Sequence, residues 1–218
     1  MDKTILFIYN IYSLLIFNCK GDLFMKRLNL KTALLTLILA VVLLSLTGCT
    51  NPLNTKVNDD NSADLSGLPT LVEEENANFK KHEEASGVSF SYPSSWKSVG
   101  TTSQPIYLND AGNGTSINLV TGDMPSYLSF DGYIEASIVN IKAKMTINGD
   151  VDKEKVNLNG RLAYKLSYTT TSNNITMRIT QLAIQEDGKV YILTLGCQES
   201  LYESEKDTLD QIMKTFKK

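Results

Sequence analysis

Residues 190–197, VYILTLGC, decide the fold of this chain. In an extended strand successive side chains point to opposite sides, so Val190 and Ile192 share one side while Tyr191 and Leu193 share the other. Apolar side chains on both sides predict a strand inside a sheet whose two faces are both covered.

Two turn sequences predict how this sheet is connected. Glu186-Asp187-Gly188-Lys189 would join residues 175–185 to the 190–197 strand, and Leu158-Asn159-Gly160-Arg161 would join a second pair of strands. Asn-Gly is the stronger of the two signals, because both residues tolerate the positive φ that a tight type I′ hairpin needs. Both turns therefore predict antiparallel neighbours.

Two stretches have the periodicity of amphipathic helices, one over residues 130–145 and one over residues 199–217. The apolar side of the first consists of Phe130, Ile134, Ile138, Ile141 and Met145, and that of the second of Leu201, Leu209, Ile212, Met213 and Phe216. An antiparallel sheet with helices packed on its faces satisfies these patterns, so we expect an α+β fold.

Shorter strands are predicted in the first half of the folded region. Residues 88–92, VSFSY, alternate with period two and end at Pro93, and residues 106–108 and 116–120 flank a polar loop. In that loop Ala111 and Val120 occupy positions where an EF-hand calcium loop needs oxygen ligands. We therefore predict a turn at residues 109–114 and no metal site.

The order of these elements resembles the PsbP-like family. The resemblance is carried by the opening VSFSYPSSW at residues 88–96, by the helix after Phe130, and by the closing LDQIMKTF at residues 209–216. It spans residues 87–218 and implies an α-β-α sandwich. It carries over no catalytic, cofactor-binding or metal-binding positions.

Ahead of the folded region the chain has the features of a bacterial lipoprotein signal peptide. Lys26 and Arg27 supply a positive start, residues 32–46 form an apolar run, and Leu46-Thr47-Gly48-Cys49 closes it. This tetrapeptide is similar to a lipobox. The resemblance implies that the signal peptidase recognises Leu46, Thr47 and Gly48, and that Cys49 is lipidated and becomes the first residue. We therefore predict a protein anchored by lipid on the extracytoplasmic face of the cell membrane.

Alternatives to this interpretation stay open. A plain transmembrane anchor needs roughly 20 apolar residues, more than the fifteen of residues 32–46, and an ordinary signal-peptidase site is a second alternative. Residues 1–24 contain another apolar stretch, but Met25 places Lys26 and Arg27 at the extreme N-terminus. We expect translation to start at Met25, with residues 1–24 a spurious extension and residues 25–48 the signal peptide. A hairpin of two membrane segments is the alternative for this region.

Residues 49–86 are expected to form a flexible linker, because they are rich in Asn, Asp, Ser and Glu and lack apolar periodicity. A tether of that length spans about 30–35 Å root-mean-square. Residues 1–48 hold 5 of the 21 Lys and Arg and 2 of the 24 Asp and Glu, which leaves 16 positive and 22 negative side chains, a net charge of −6. Such a charge disfavours nucleic acid as a partner.

Three cysteines occur, Cys19, Cys49 and Cys197. With Cys19 in the extension and Cys49 lipidated, Cys197 has no partner for an intramolecular disulfide. Because Cys197 ends the apolar strand, we expect a buried small apolar residue and not a reactive thiol.

The sequence offers little material for a catalytic site. His82 is the single histidine and lies in the predicted linker, where we expect it at the surface and not held beside a nucleophile. Zinc sites built from several Cys and His are excluded by their number. Carboxylates remain, and the candidates are Asp123, Asp131, Glu135, Asp150 and Asp152. We expect Asp150 and Asp152 in a solvated turn.

We therefore expect a non-catalytic binding or assembly module of the cell envelope, with an envelope protein or a cell-wall polymer as partner and no cofactor. Tyr107, Tyr127 and Tyr133 would line a binding surface or pack in the core. The alternative is a hydrolase of cell-wall polysaccharide. Such an enzyme needs two carboxylates about 5–10 Å apart in a cleft, and would depend on Asp150 or Asp152.

Overall fold

The structure, a computed structural model, describes residues 64–101, 105–109 and 111–218. Its strands are β1 Thr70–Leu71, β2 Phe79–Glu83, β3 Ser89–Pro93, β4 Lys97–Ser98, β5 Ile106–Leu108, β6 Ser116–Asp123, β7 Ile147–Leu158, β8 Arg161–Ser172, β9 Ile175–Glu186 and β10 Lys189–Gln198. Eight of them form one sheet in the order β1-β7-β8-β9-β10-β6-β5-β4, and β2 and β3 form a separate hairpin. Only β1 runs parallel to its neighbour.

The long strands are joined by two-residue hairpin turns. The predicted turns at residues 159–160 and 187–188 both have positive φ at their two central residues, as a type I′ hairpin needs. A third turn of the same kind, Asn173 (φ 50°) and Asn174 (φ 62°), joins β8 to β9 and is not among the predicted ones. Asn tolerates this left-handed backbone better than most residues with a side chain.

Both faces of the sheet are covered, as the β10 sequence predicts. Tyr191 and Leu193 belong to the core on the face that carries the C-terminal helix, and Val190 and Ile192 belong to the core on the opposite face. All four residues are at most 5% exposed. The α+β fold class expected from the sequence is confirmed.

Helix α1, Phe130–Lys144, covers the second of these faces. Its N-cap Ser129 accepts a hydrogen bond from an amide of the first turn, which satisfies a donor that a helix start otherwise leaves free. The Tyr164 hydroxyl on β8 donates to Asp131, and the Phe130 and Tyr164 rings pack with centroids 5.0 Å apart. These contacts fix the start of α1 on the sheet.

The C-terminal helix is shorter than predicted. A 3-10 turn at Glu199–Leu201 leads into α2, Tyr202–Lys214, so the helix ends before the expected Lys217. The Thr215 hydroxyl donates to the Ile212 carbonyl at 2.7 Å and so competes with a further helical turn. The tail then runs beside β3, where Lys217 and Ser89 exchange backbone hydrogen bonds of 2.7 and 2.9 Å.

The structure differs from the sequence expectation over residues 64–86, where we expected linker. There β1 pairs with the end of β7, and β2 pairs with β3. The strand β2 is not apparent from the sequence, because residues 80–83 are mostly charged. Only Phe79 and His82 of this strand are half-buried. The fold therefore begins well before Gly87. The proposed extension, the signal peptide and the linker up to residue 63 lie outside the described residues.

Candidate functional site

Four of the five carboxylates singled out in the sequence pair with cations on the surface of the fold. These pairs are Asp123–Lys189 (2.8 Å), Asp150–Lys142 (2.9 Å), Asp131–Lys155 (3.2 Å) and Glu135–Lys153. Hydrogen bonds from Lys189, Tyr164 and Lys142 lower the pKa of Asp123, Asp131 and Asp150 respectively. A general acid at neutral pH needs a raised pKa, so these three aspartates are poorly suited to that task.

Asp150 and Asp152 lie within β7 and not in a turn between elements. Gly149 (φ 83°) and a register shift between Asn148 and Asp152 form a β-bulge there, and both aspartates are exposed. A cleft of about 300 Å³ lies elsewhere, between residues 73–77, the β2–β3 hairpin and Thr215. The structure therefore does not bring Asp150 and Asp152 into this cleft.

His82 is packed between aromatic rings, contrary to the expectation that it lies at the surface. Its ring centroid is 5.1 Å from that of Phe90 and 5.7 Å from that of Tyr107, and its Nδ1 lies 2.8 Å from the Tyr107 hydroxyl. Its Nε2 is buried without a hydrogen-bond partner, 4.0 Å from the Glu84 carboxylate. Burial lowers the pKa of His82, and Glu84 opposes this in part. The imidazole therefore joins the β2–β3 hairpin to β5 in its neutral form.

We expect the free energy of unfolding to fall as the pH is lowered from 7 to 5. The pKa of His82 in the folded protein lies below its ordinary value of 6.5, so the unfolded chain binds the proton more tightly and stability is lost below that pH. Each tenfold weakening of proton binding costs about 1.4 kcal/mol. Urea unfolding at several pH values measures this loss, and His82→Phe serves as the control. A variant with the same loss between pH 7 and 5 as the wild type would show that another group is responsible.

Cys197 is fully buried, which confirms the expectation. Burial raises the pKa of its thiol to about 11, so the reactive thiolate is disfavoured at neutral pH. Tyr107 and Tyr133 also belong to the core, with 7% of each exposed, while Tyr127 is half-buried. The tyrosines that the sequence offered as a binding surface therefore do not form one.

The loop between β5 and β6 is tied to α2. The side-chain amides of Asn109 and Asn113 donate to the Glu205 carboxylate at 3.3 and 3.1 Å, and the Thr115 amide donates to the Asn113 side chain at 3.0 Å. These bonds tie the described residues of the loop to α2. Within the described part of the chain, no three His, Cys, Asp or Glu side chains are grouped so that they could hold a metal ion.

The two ends of the sheet differ strongly in charge. Five ion pairs lie on the surface at the end where β1 meets β7, close to the C-terminal residues. We call this the tether end, because the chain enters the fold here; its pairs are Lys217–Glu73 (2.6 Å), Lys214–Glu74 (2.7 Å), Lys218–Asp187 (3.7 Å), Lys189–Asp123 (2.8 Å) and Arg161–Glu186. Asn159 adds two hydrogen bonds of 2.9 Å, to the Glu73 amide and the Lys214 carbonyl.

At the opposite end, the chain has no charged residue around the β8–β9 turn. Residues 166–177, at the β8–β9 turn, contain no Asp, Glu, Lys or Arg, although such residues make up 21% of the chain. We call this end the distal tip. It comprises the turn residues Asn173 and Asn174 and the polar side chains of Asn148, Ser167, Thr169, Thr171, Thr176 and Thr180. Arg178 lies among these side chains, opposite Thr169 in the register, and is paired with Glu199. Because β8 has 12 residues, the tip lies about 36 Å from the tether end.

The polar side chains of the distal tip lie on one face of the sheet. The register pairs Ser167 with Thr180 and Thr171 with Thr176. The alternation of side chains places them on the same face as Leu182, which packs under α2. They are half-buried and therefore accessible. The helix covers the apolar half of this face and leaves its polar half open.

Hydrogen bonds within the distal tip orient several of its groups. The Thr171 and Thr176 hydroxyls lie 2.9 Å apart, and the Asn148 amide donates to the Thr171 hydroxyl at 2.8 Å. The Thr169 hydroxyl donates to the Asn148 carbonyl at 3.2 Å. A hydroxyl has one donor and two acceptor positions, so each of these groups keeps bonding capacity for a ligand.

Comparison with known proteins assigns the chain to a family. A family model described as PsbP-like protein matches residues 35–218. The chain belongs to the PsbP-like family. The resemblance seen in the sequence is thereby confirmed, and the match also takes in residues 64–86, which this PsbP-like chain folds onto its sheet.

Comparison with solved structures finds similar chains at low sequence identity. Cyanobacterial PsbP (CyanoP) from Synechocystis sp. PCC 6803 is 15% identical, with a TM-score of 0.52, over 66% of this chain and 94% of that one. LpqN, involved in cell envelope biogenesis of Mycobacterium tuberculosis, is 15% identical, with a TM-score of 0.43, over 66% and 87%. Protein PA94 from Pseudomonas aeruginosa, of unknown function, is 16% identical, with a TM-score of 0.46, over 65% and 98%. No curated protein matches the chain.

The distal tip of this PsbP-like protein was missed in the sequence analysis. The signal was present, since YTTTSNNITM at residues 168–177 combines β-branched residues with an Asn-Asn pair suited to a hairpin turn. That pattern marks two strands and a turn. The position of the distal tip opposite the tether end follows only from the order of the strands in the sheet.

No helix in the described part of the PsbP-like chain is long and apolar enough to cross a membrane. The lipobox residues Leu46, Thr47, Gly48 and Cys49 lie outside that part, so the anchor stays a prediction from sequence.

Proposed function

We propose that this protein is a lipid-anchored, non-catalytic binding module of the cell envelope, held on the extracytoplasmic face of the membrane through Cys49. The order of positive start, apolar run and lipobox supports the anchor. Its partner is an envelope protein or a cell-wall polymer.

The observation that supports the binding role is the difference in surface chemistry between the tether end and the distal tip. At the tether end, charged side chains of the surface are engaged in ion pairs, and the backbone of β1 is paired with β7. At the distal tip, hydroxyl and amide groups are accessible on an open sheet face. A chain anchored before residue 64 would therefore keep its tip free for a ligand.

The structure shortens the tether that this proposal needs. The Pro69 carbonyl accepts a hydrogen bond of 2.9 Å from Asn157, so the chain is part of the fold from there on. The twenty residues from Cys49 to Leu68 would span about 25 Å root-mean-square as a flexible chain. The same residues would reach about 70 Å when fully extended. The distance from the bilayer to the distal tip would thus be the span of the tether plus about the length of β8.

The anchor is tested by Cys49→Ala in cells grown with labelled palmitate. We expect the wild type to carry the label and sediment with membranes, and the variant to carry no label and leave the membrane fraction, because the thiol that accepts the lipid is gone. Cys197→Ala is the matched control and should stay labelled, since that thiol is buried in the fold. A labelled, membrane-bound Cys49→Ala protein would refute the proposal.

A further inference from the structure

The chemistry of the distal tip narrows the class of ligand. Apart from Arg178, which is paired with Glu199, its side chains are hydroxyls and carboxamides, and groups of both types donate and accept hydrogen bonds. Sugar hydroxyls have the same double capacity. We infer that the distal tip binds a neutral, hydroxyl-rich polysaccharide lying across β8 and β9. This inference rests on the proposed function and specifies its ligand.

Charge argues against an anionic polymer at the tip. Two cations lie on this face beside the tip hydroxyls. Lys165, two residues before Ser167, pairs with Glu154 at 3.8 Å. Arg178, opposite Thr169 in the register, donates from Nε and Nη2 to the Glu199 carboxylate at 2.8 and 2.6 Å and stacks over the Tyr202 ring at 4.2 Å. This bidentate pair already uses the geometry by which Arg recognises a carboxylate or a phosphate. Asp152 lies opposite Ser167 in the register and adds a negative charge at the border of the tip.

Two hydroxyls at the centre of the tip are free to bind. Ser167 and Thr180 are cross-strand neighbours, and neither hydroxyl bonds to another residue that the structure describes. Thr169 lies two residues along β8, so it projects from the same face about 7 Å away. A polymer laid on this face therefore meets both unbonded and pre-oriented hydroxyls.

The form of the tip suits a long ligand held weakly at many points. An open sheet face offers little burial, so a single domain binds through a few hydrogen bonds, each worth about a fivefold change in affinity. Lipid-anchored copies on one membrane can hold the same polymer together. Such multivalency raises the overall affinity without any new contact.

The test is retention of the full chain, purified from membranes in detergent, on beads of cellulose, chitin and amylose, with carboxymethylcellulose as the anionic counterpart. We expect retention on at least one neutral polymer and less on carboxymethylcellulose. Ser167→Ala combined with Thr180→Val removes two such hydrogen bonds to the ligand and should lower the affinity about 25-fold. It breaks no intramolecular hydrogen bond. Thr121→Val, exposed on β6, is the matched control and should bind like the wild type.

Three outcomes overturn the inference: no retention on any neutral polymer, stronger retention on carboxymethylcellulose, or unchanged retention of the double variant. Equal unfolding midpoints in urea for both variants exclude misfolding as the cause of a loss. The anchor is tested separately, because Cys49→Ala leaves the tip intact. A labelled protein that binds no neutral polymer would refute the ligand class and leave the anchored module standing.

Discussion

Replacing Phe216 with Ala is expected to lower the free energy of unfolding by about 3–5 kcal/mol. Phe216 is fully buried and belongs to the core on the α2 face. It also holds the C-terminal tail against β3, where Lys217 pairs with Ser89. The substitution therefore removes apolar contacts and loosens the support of the β2–β3 hairpin. Natural domains have about 5–15 kcal/mol of stability in total, so this loss is large.

The measurement for Phe216→Ala is urea unfolding followed by the fluorescence of Trp96. This is the single tryptophan of the chain, and it is 8% exposed in the same core. Val139→Ala is the control, because Val139 lies on α1 with 64% of its surface exposed. We expect the control to stay within about 0.5 kcal/mol of the wild type. If the two variants unfold at the same urea concentration, Phe216 and the C-terminal tail do not stabilise the fold as predicted.

Replacing Tyr164 with Phe is expected to lower the free energy of unfolding by about 1.5 kcal/mol, as for other hydrogen bonds to charged groups. The Tyr164 hydroxyl donates to Asp131 and so joins β8 to the first turn of α1. Lys155 pairs with the same carboxylate at 3.2 Å and would remain, which keeps the loss at the lower end of the usual range. The change leaves the ring and its packing in place.

Tyr168→Phe is the matched control for Tyr164→Phe. Both residues lie on the same face of β8, and both are at most 4% exposed. The Tyr168 hydroxyl, however, is buried without a hydrogen-bond partner. Removing an unsatisfied buried hydroxyl relieves a cost of about 1–3 kcal/mol, so this variant should be as stable as the wild type or more stable. Equal losses for the two variants would contradict both assignments.

The long strands and both described helices were predictable because their patterns are strong. Apolar residues on both sides of residues 190–197 require two covered faces, and Asn159-Gly160 requires a tight hairpin. Both features depend on local chemistry alone. The β2 strand was not predictable, because its charged residues face solvent. Its partner β3 and the C-terminal tail supply the stabilisation.

The environment of His82 was hidden for the same reason. Within the sequence it is flanked by lysines and glutamates, which is typical of a solvated segment. Only the pairing of β2 with β3 places it against Phe90 and Tyr107. The distal tip shows the converse case, since its composition is visible in the sequence while its position relative to the tether end depends on the order of the strands.

The contact between Ser89 and Lys217 also constrains how the protein is made. The β2–β3 hairpin comes early in the described part of the chain, yet the segment that pairs with its edge follows more than a hundred residues later. Closing such a long loop is slow compared with forming a local hairpin. The domain can therefore reach its final form only after Lys217 has been synthesised. Until then its earliest apolar surface must be kept from aggregating.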